Sequence, residues 1–376
     1  MEPFKIVVPC LFGLESFVAR DIRRLGYETD AVTDGRVSFF GDFSAVARAN
    51  LNLREGERVL IEVANFQALT FDELFEGTKA ADWARFIPKD GAFPVTGHAL
   101  KSRLFSVPDC QSIVKKAVVD KLRQTHRVEW FAETGPKFPI EFFLFHDRVS
   151  LLLDTSGEGL HKRGYRENAN MAPLRETLAS AIVKTARFFP DVNFYDPMCG
   201  SGTIAIEAAL LGANIAPGLR RSFLVEQWPC FDRALMRAAR EEALSAIRRA
   251  DFVVHASDID PAMAELTKKN AALAGVSHHV EATVCDVKHF RPAAERGVIA
   301  CNPPYGERML ERSEAQALAR VMGRAFSALP GFNCYIITSD EEFEKHFGRR
   351  ATKKRKMYNG MIKCDLYQYF TPRERR

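Results

Sequence analysis

Asn302-Pro303-Pro304-Tyr305 places a side-chain amide, two ring-locked backbone units and an aromatic face at the end of an apolar run, Val298–Cys301, that reads as a strand. Two consecutive prolines cannot extend a central strand, so the four residues form a stiff loop with preset φ and fixed carbonyl directions. Such a loop suits one difficult nucleophile. An amine attached to an aromatic base has its lone pair delocalised into the ring and must pyramidalise before it attacks. Its two N–H groups then need acceptors, which the Asn302 side-chain oxygen and the Pro303 carbonyl can supply, while the Tyr305 ring stacks on the base. Acceptors preorganised for charge that develops in the transition state are each worth on the order of 3 kcal/mol. A base stack adds about 1–3 kcal/mol.

A second candidate site lies upstream. Residues 194–209, FYDPMCGSGTIAIEAA, read as a strand, then Asp196-Pro197, then Gly200-Ser201-Gly202, then a helix from Thr203. Glycines let the backbone approach a ligand, and the helix N-terminus favours a carboxylate or phosphate. Three ligands compete for this loop. A phosphate loop needs Gly-Lys-Ser/Thr, and no lysine follows Gly202. GSGTIA fits the dinucleotide fingerprint GxGxxA, but that fingerprint expects an acidic residue about 20 residues on. The acidic strand end here, Asp258, comes 58 residues after Gly200. The third ligand is S-adenosylmethionine, whose amino-acid moiety lies against such a loop. Asp258, in Ser257-Asp258-Ile259-Asp260-Pro261, ends the next strand and can accept both ribose hydroxyls. Asp286, in Val284-Cys285-Asp286, follows the third strand and can accept an adenine amino group. Asp260 fits a helix cap before Pro261. A sulfonium donor needs no metal.

These segments can share one edge only if parallel strands carry them there. Apolar runs at Asn193–Tyr195, Phe252–Ser257, Val280–Cys285, Val298–Cys301 and Asn333–Thr338 alternate with helical patterns at Leu174–Phe188, Thr203–Leu211, Ala262–Ala274 and Ala315–Leu329. A further helical insertion falls around Leu235–Arg249. Alternation of this kind predicts an open parallel sheet whose ligands sit outside the carboxyl ends of the strands. Residues 351–357 and 361–369 flank Asn359-Gly360 and predict a closing antiparallel hairpin. The N-terminal half reads as smaller α+β pieces. They include a helix over Leu14–Leu25, a hairpin around Asp34-Gly35, a helix Cys110–Arg123 capped by Asp109, and a hairpin turning at His146-Asp147. The polar stretch Asp154–Asn170, containing GEGLHKRGYRENAN, connects the halves.

The 376 residues are 47% hydrophobic and 27% charged, the balance of a globular chain of two or three domains. No uncharged apolar run approaches the roughly 18 residues of a membrane helix, and the N-terminus has no secretory pattern. The eight cysteines form no CxxC pair, and Cys199, Cys285, Cys301 and Cys334 lie in apolar segments, as reduced thiols of a cytoplasmic protein would. Residues 1–165 carry 22 basic and 23 acidic side chains, whereas Lys345–Arg376 holds 11 basic and two acidic ones. The basic run Arg349–Lys356 is the better candidate for phosphate contact. The helix bearing Lys115, Lys116, Lys121 and Arg123 is a weaker one.

APLRETLASAI (172–182), YDPMCGSGTIAIEAA (195–209), IAPGLRRSFLVEQW (215–228), SDIDP (257–261) and NPPYGER (302–308) make the chain resemble the class I Rossmann-like, S-adenosylmethionine-dependent methyltransferases that modify amino groups. More narrowly, it resembles the THUMP-containing bacterial 23S rRNA guanine-N2 methyltransferases. The resemblance implies a ferredoxin-like domain over 1–55, an RNA-binding THUMP domain over 56–155 and a methyltransferase domain over 156–376 with a mostly parallel seven-stranded sheet. It implies that Asp196, Pro197, Gly200, Ser201, Gly202 and Thr203 line the methionine part of the donor. Asp258 and Ile259 would hold the ribose, Asp286 the adenine, and Asn302–Tyr305 the target base, with Arg175 and Glu176 close to the donor. The best-known members carry a second methyltransferase domain, so a chain of this length resembles the shorter, single-activity branch. The expected activity is guanine-N2 methylation of RNA, 23S rRNA ahead of tRNA, by a monomer without metal. Adenine-N6 methylation of DNA and a non-catalytic RNA-binding assembly factor are the alternatives.

Overall fold

Three consecutive residues of β1 (Phe4–Pro9), Ile6, Val7 and Val8, are buried, the apolar run of a strand covered on both faces over that stretch. The structure, a computed structural model, describes residues 3–166, 174–305 and 309–370. It divides into two compact units, one of Met1–Cys10, Val18–Leu160 and Ser222–Glu241, the other of Leu11–Phe17, His161–Arg221 and Glu242–Arg376.

After β1, the first unit continues through α1 (Glu15–Arg24), β2 (Thr29–Thr33), β3 (Arg36–Gly41), α2 (Phe43–Asn52), β4 (Leu60–Gln67), α3 (Phe71–Ala80), β5 (Val95–Leu100), α4 (Val107–His126), β6 (Ile140–Phe145) and β7 (Arg148–Asp154). The strands form one sheet in the order β2-β3-β1-β4-β7-β6-β5, antiparallel throughout except β5 against β6. Local chemistry sets the breaks. Asp42 caps α2 by accepting from the Ser44 and Ala45 amides, and Thr70 and Glu73 form a capping box on α3. His146 and Asp147 both take positive φ, 49° and 62°, as a tight hairpin requires. The expected Asp109 cap is not observed. Helix α4 starts at Val107, because Pro108 is tolerated in a first turn where its missing N–H has no partner to lose, and Asp109 sits inside that turn. Helices α2, α3 and α4 pack against β3, β4 and β5.

The second unit contains α5 (Glu176–Thr185), β8 (Phe194–Asp196) and α6 (Thr203–Gly212). Helix α7 (Arg233–Ser245) follows, then β9 (Val254–Asp258), α8 (Pro261–Ala274), β10 (Val280–Val284), β11 (Gly297–Cys301), α9 (Met309–Ser327), β12 (Phe332–Thr338), α10 (Phe343–Phe347), β13 (Lys353–Asn359) and β14 (Ile362–Tyr369). Its sheet order is β10-β9-β8-β11-β12-β14-β13, parallel up to β12 and closed by the antiparallel β13–β14 hairpin. This is the Rossmann-like architecture with its terminal hairpin that the strand–helix alternation predicts. The hairpin is anchored by Tyr367 and Tyr369, which are buried with Ile299, Met322 and Ile336. Most of α7, up to Glu241, belongs to the first unit. There the Trp228 indole, just before α7, stacks on Phe138 at 4.8 Å and donates to the Lys137 carbonyl, and Phe231 meets Phe43 edge-on. No helix among the described residues is long and apolar enough to cross a membrane.

Candidate active site

Strands β10, β9, β8 and β11 are consecutive neighbours and parallel, so their carboxyl ends bring Asp286, Asp258, Asp196 and Asn302 to one edge of the sheet. Gly200 and Gly202 adopt φ of +51° and +83°. A side chain at Gly202 is excluded, since its Cβ would sit 2.7 Å from Thr267 Cγ2, whereas nothing lies within 4 Å of a Cβ at Gly200. The loop therefore needs glycine twice for different reasons, backbone conformation at both positions and close packing at the second. Helix α8 holds it from behind: the Thr267 hydroxyl donates to the Gly200 carbonyl at 2.9 Å and Asn270 Nδ2 to the Ser201 carbonyl at 2.8 Å. Neither residue stands out in the sequence. Both belong to an ordinary amphipathic helix, and only the fold gives their polarity a purpose.

Asp196 is the most perturbed carboxylate of this edge. It is 1% exposed, and its Oδ1 has no hydrogen-bond partner among the described residues. Burial pushes its pKa up to about 8, the Met198 and Ala205 amides oppose that rise, and the neighbouring Asp258 adds to it. A buried carboxyl with an unpartnered oxygen is unfavourable unless something cationic or hydrogen-bonding completes it. Asp258 accepts from the Gly200 amide at 2.9 Å through Oδ2 and from the Asp260 amide at 3.0 Å through Oδ1, so it ties β9 to the glycine loop. Each oxygen keeps a second lone pair for a diol. Ile259, 66% exposed, stands beside it as an uncovered apolar surface. Asp260 caps α8 through the Ala262 amide, as its position before Pro261 predicts. Asp286 starts a short 3-10 turn by accepting from the Lys288 amide, and its Oδ2 lies 2.8 Å from Lys288 Nζ, which lowers its pKa.

In the loop after β11, Pro303 is buried and Pro304 exposed. The Tyr305 hydroxyl donates to Asn302 Oδ1 at 2.7 Å, so the phenol occupies the acceptor that the sequence assigns to a target amine. Tyr305 also faces Asn359 and Cys364 of the β13–β14 hairpin, and burial raises its pKa. The hairpin is thus part of the site, through contacts between residues more than 50 positions apart. Gly306, Glu307 and Arg308, the end of the NPPYGER motif, lie outside the described residues, as do Glu167–Pro173, which include the start of the LRETLA segment.

Behind the glycine loop is a buried ionic group that spacing does not reveal. Arg166 donates to the Leu174 carbonyl at 2.9 Å, contacts the Thr203 hydroxyl, and pairs with Glu176 at 3.5 Å. Arg163 pairs with Glu207 on α6 at 3.4 Å, both essentially inaccessible, and the Tyr165 hydroxyl donates to the same Glu207 oxygen. This group fastens the Lys162–Arg166 stretch to the first turn of α6, where Thr203 lies. Glu176 therefore has a structural partner, and the Arg175 amide contacts Asn359 Oδ1 at 3.5 Å.

Comparison with known proteins agrees with this geometry. Residues 163–368 match the RMKL-like methyltransferase domain, residues 5–60 the RlmL ferredoxin-like domain and residues 68–154 the THUMP domain. The chain is 47% identical over 377 residues to YpsC of Bacillus subtilis (strain 168), an RNA methyltransferase by name, covering 99% of this chain and 97% of YpsC. It is 33% identical over 372 residues to the ribosomal RNA large subunit methyltransferase K/L of Psychromonas ingrahamii, covering 96% of this chain but 49% of that protein. The chain thus spans about half of such K/L proteins. Among solved structures, one from Listeria monocytogenes, named as an N6-adenine-specific DNA methylase, matches with 45% identity and a TM-score of 0.95 over 99% of this chain and 97% of the other. A methyltransferase complexed with SAH, SMU.472, matches with 40% identity and a TM-score of 0.93 over both full lengths. An open space before Gly200, an unpartnered Asp196 oxygen and the exposed Ile259 fit S-adenosylmethionine at this edge. The chain belongs to the RMKL-like methyltransferase family, with a ferredoxin-like and a THUMP domain ahead of the catalytic one, and S-adenosylmethionine is its methyl donor.

Proposed function

We propose that the chain methylates the exocyclic N2 amine of a guanine in RNA, with large-subunit rRNA ahead of tRNA. The observation that carries this is one sheet edge holding both a glycine loop beside an unpartnered buried carboxyl and a proline-stiffened amide acceptor, in a chain that also bears a THUMP domain. The names of YpsC and the K/L proteins support RNA over DNA, and the DNA-methylase name of the Listeria protein keeps adenine-N6 methylation as the second reading. Domain limits of 1–55, 56–155 and 156–376 are proposed with it. A monomeric enzyme is proposed as well.

S-adenosylmethionine supplies an electrophilic methyl on a good leaving group. The residues of this chain do the rest. The Asp196 carboxyl faces the donor's ammonium, Asp258 its ribose diol, and Asp286 its adenine edge, with Ile259 covering the rings. Asn302 Oδ1 and the Pro303 carbonyl accept the two N–H groups of the target amine as it pyramidalises, stabilising the positive charge that grows on nitrogen. The proton is lost after transfer, so a strong base is not required. The base must leave its stack to reach this loop, at a cost of a few kcal/mol, which the Tyr305 ring offsets by stacking. The test is methyl incorporation. Mass spectrometry of rRNA and tRNA from parent and deletion strains should show N2-methylguanosine lost from rRNA alone. Loss of N6-methyladenine from DNA, with rRNA unchanged, would establish the second reading instead.

A further inference from the structure

We propose that Asn359, the last residue of β13, is a positioning residue for methyl transfer: it holds the Tyr305 phenol oxygen while the phenol proton turns from Asn302 to the Cys364 sulfur, which frees Asn302 Oδ1 for the target amine. The proposal rests on reading Asn302 as the acceptor of that amine.

In this structure that acceptor is engaged. The Tyr305 hydroxyl donates to Asn302 Oδ1 at 2.7 Å. An amide oxygen has lone pairs for two donors, but a phenol already donating to it draws off electron density that the growing positive charge on the amine requires. Asn302 becomes a full acceptor only when the phenol proton points elsewhere. A phenol O–H turns about its C–O bond with the ring at rest. The exchange therefore needs a second acceptor within reach and an oxygen that stays in place.

The β13–β14 hairpin supplies both. Cys364 of β14 is buried, and its sulfur lies within hydrogen-bonding reach of the Tyr305 hydroxyl. A thiol sulfur accepts weakly, so the exchange depends on what steadies the oxygen. Asn359 is that support. Its side chain hydrogen-bonds the same phenol, while its Oδ1 accepts from the Arg175 amide at 3.5 Å. With Oδ1 turned to Arg175, Nδ2 is the end left to donate to the phenol oxygen. Arg175 directly precedes α5, whose first residue, Glu176, is itself tied to Arg166.

Nothing in the hairpin backbone asks for asparagine at 359. In a type I′ turn an Asn-Gly pair places both residues at positive φ. Here the turn consists of Gly360, at φ of +64°, and Met361, between the paired Asn359 and Ile362, and Asn359 itself takes no positive φ. It sits in the ladder, where asparagine is a poor strand former. A residue unsuited to a strand and unneeded by the turn, yet joined by its side chain to both α5 and the loop after β11, is explained by what it holds. The hairpin is a firm mount, paired from Lys353–Gln368 to Asn359–Ile362 and anchored by the buried Tyr367 and Tyr369.

The test is a double-mutant cycle. Methyl transfer from tritiated S-adenosylmethionine to total rRNA of a deletion strain is measured for the parent, Asn359→Ala, Tyr305→Phe and the double variant. Asn359→Ala should lower kcat/KM for rRNA about tenfold, the upper range of one net hydrogen bond, with melting temperature and SAH affinity as in the parent. In the Tyr305→Phe background, where no hydroxyl has to be held, the same change should cost less than about twofold, a non-additivity that a residue serving only the turn would not show. Asn359→Ser, a turn-compatible residue whose hydroxyl is one atom short of the phenol, should repeat the loss. Cys364→Ala should likewise act only when Tyr305 carries its hydroxyl. The proposal is overturned if Asn359→Ala matches the parent, or if its loss is the same in both backgrounds. With Asn302→Ala inactive in that assay, the acceptor reading survives either outcome, whereas full activity of Asn302→Ala would overturn both. If the parent methylates the strain's DNA instead of its rRNA, the same cycle is read on DNA with the same criteria.

Discussion

The charge state of Asp196 makes the donor site testable by pH alone. With a pKa of about 8, this carboxyl is some tenfold more protonated than ionised at pH 7, and ionising it costs about 1.4 kcal/mol. The ammonium of the donor needs the ionised form. Binding of SAH, which carries the same ammonium, should therefore release close to one proton at pH 6.5–7. Its affinity should rise about tenfold per pH unit up to about 8. At still higher pH the α-amino group of the ligand, held above the peptide-terminus value by its own neighbouring carboxylate, loses its proton, so binding takes one up and affinity falls again. The profile is a bell whose acid limb bends near pH 8, with proton exchange changing sign at its peak. Calorimetry in two buffers of different ionisation enthalpy reads both quantities at each pH. Affinity that is flat from pH 6 to 9, with no proton released at pH 6.5, would refute the assignment of Asp196 to the ammonium. The same shift has a consequence for the ligand-free fold. A carboxyl raised from its ordinary 3.8 to about 8 adds stability that is complete below the lower value and lost as pH climbs through the higher one. Asp196→Asn should therefore gain melting temperature relative to the parent as pH rises from 6 to 9, while losing SAH affinity.

Four further outcomes separate the roles along the edge. Asn302→Ala should lower kcat by about 10²–10³ with SAH affinity unchanged. Asp258→Ala, which loses the Gly200 anchor and the diol acceptor, should weaken SAH binding at least tenfold, since hydrogen bonds to a charged group contribute about 1.5–3 kcal/mol; equal losses of SAH binding in both variants would contradict the division. Tyr305→Phe keeps the ring and removes the hydroxyl that occupies Asn302 Oδ1, so KM for RNA should fall severalfold with kcat retained, whereas Tyr305→Ala should raise KM; a higher KM in the phenylalanine variant would show the hydroxyl to be a substrate contact. Gly202→Ala faces a positive φ and Thr267 at 2.7 Å, so differential scanning fluorimetry with added SAH should show little or no ligand-induced rise in melting temperature.

Much of this protein is written locally. Gly200 and Gly202 announce a turn that other residues cannot make, Asp260 before Pro261 announces a helix start, and Pro303-Pro304 announces a strand that must stop. Strand–helix alternation then orders those signals along one edge, because a parallel sheet with right-handed crossovers leaves few other arrangements. What tertiary structure alone decided is whatever depends on contacts between distant residues. Trp228 and the start of α7 lie in sequence among methyltransferase elements, yet an indole finds its stack and its carbonyl acceptor on Phe138 and Lys137 of the first unit. Thr267 and Asn270 become loop supports only when α8 lies behind Gly200 and Ser201. The partnership of Asn302 with Tyr305, and of Tyr305 with the distant hairpin, follows from side-chain direction and burial. Residue type and spacing fix backbone conformation and which face a side chain takes. Which polar groups then satisfy one another depends on how desolvated surfaces meet, a property of the folded whole.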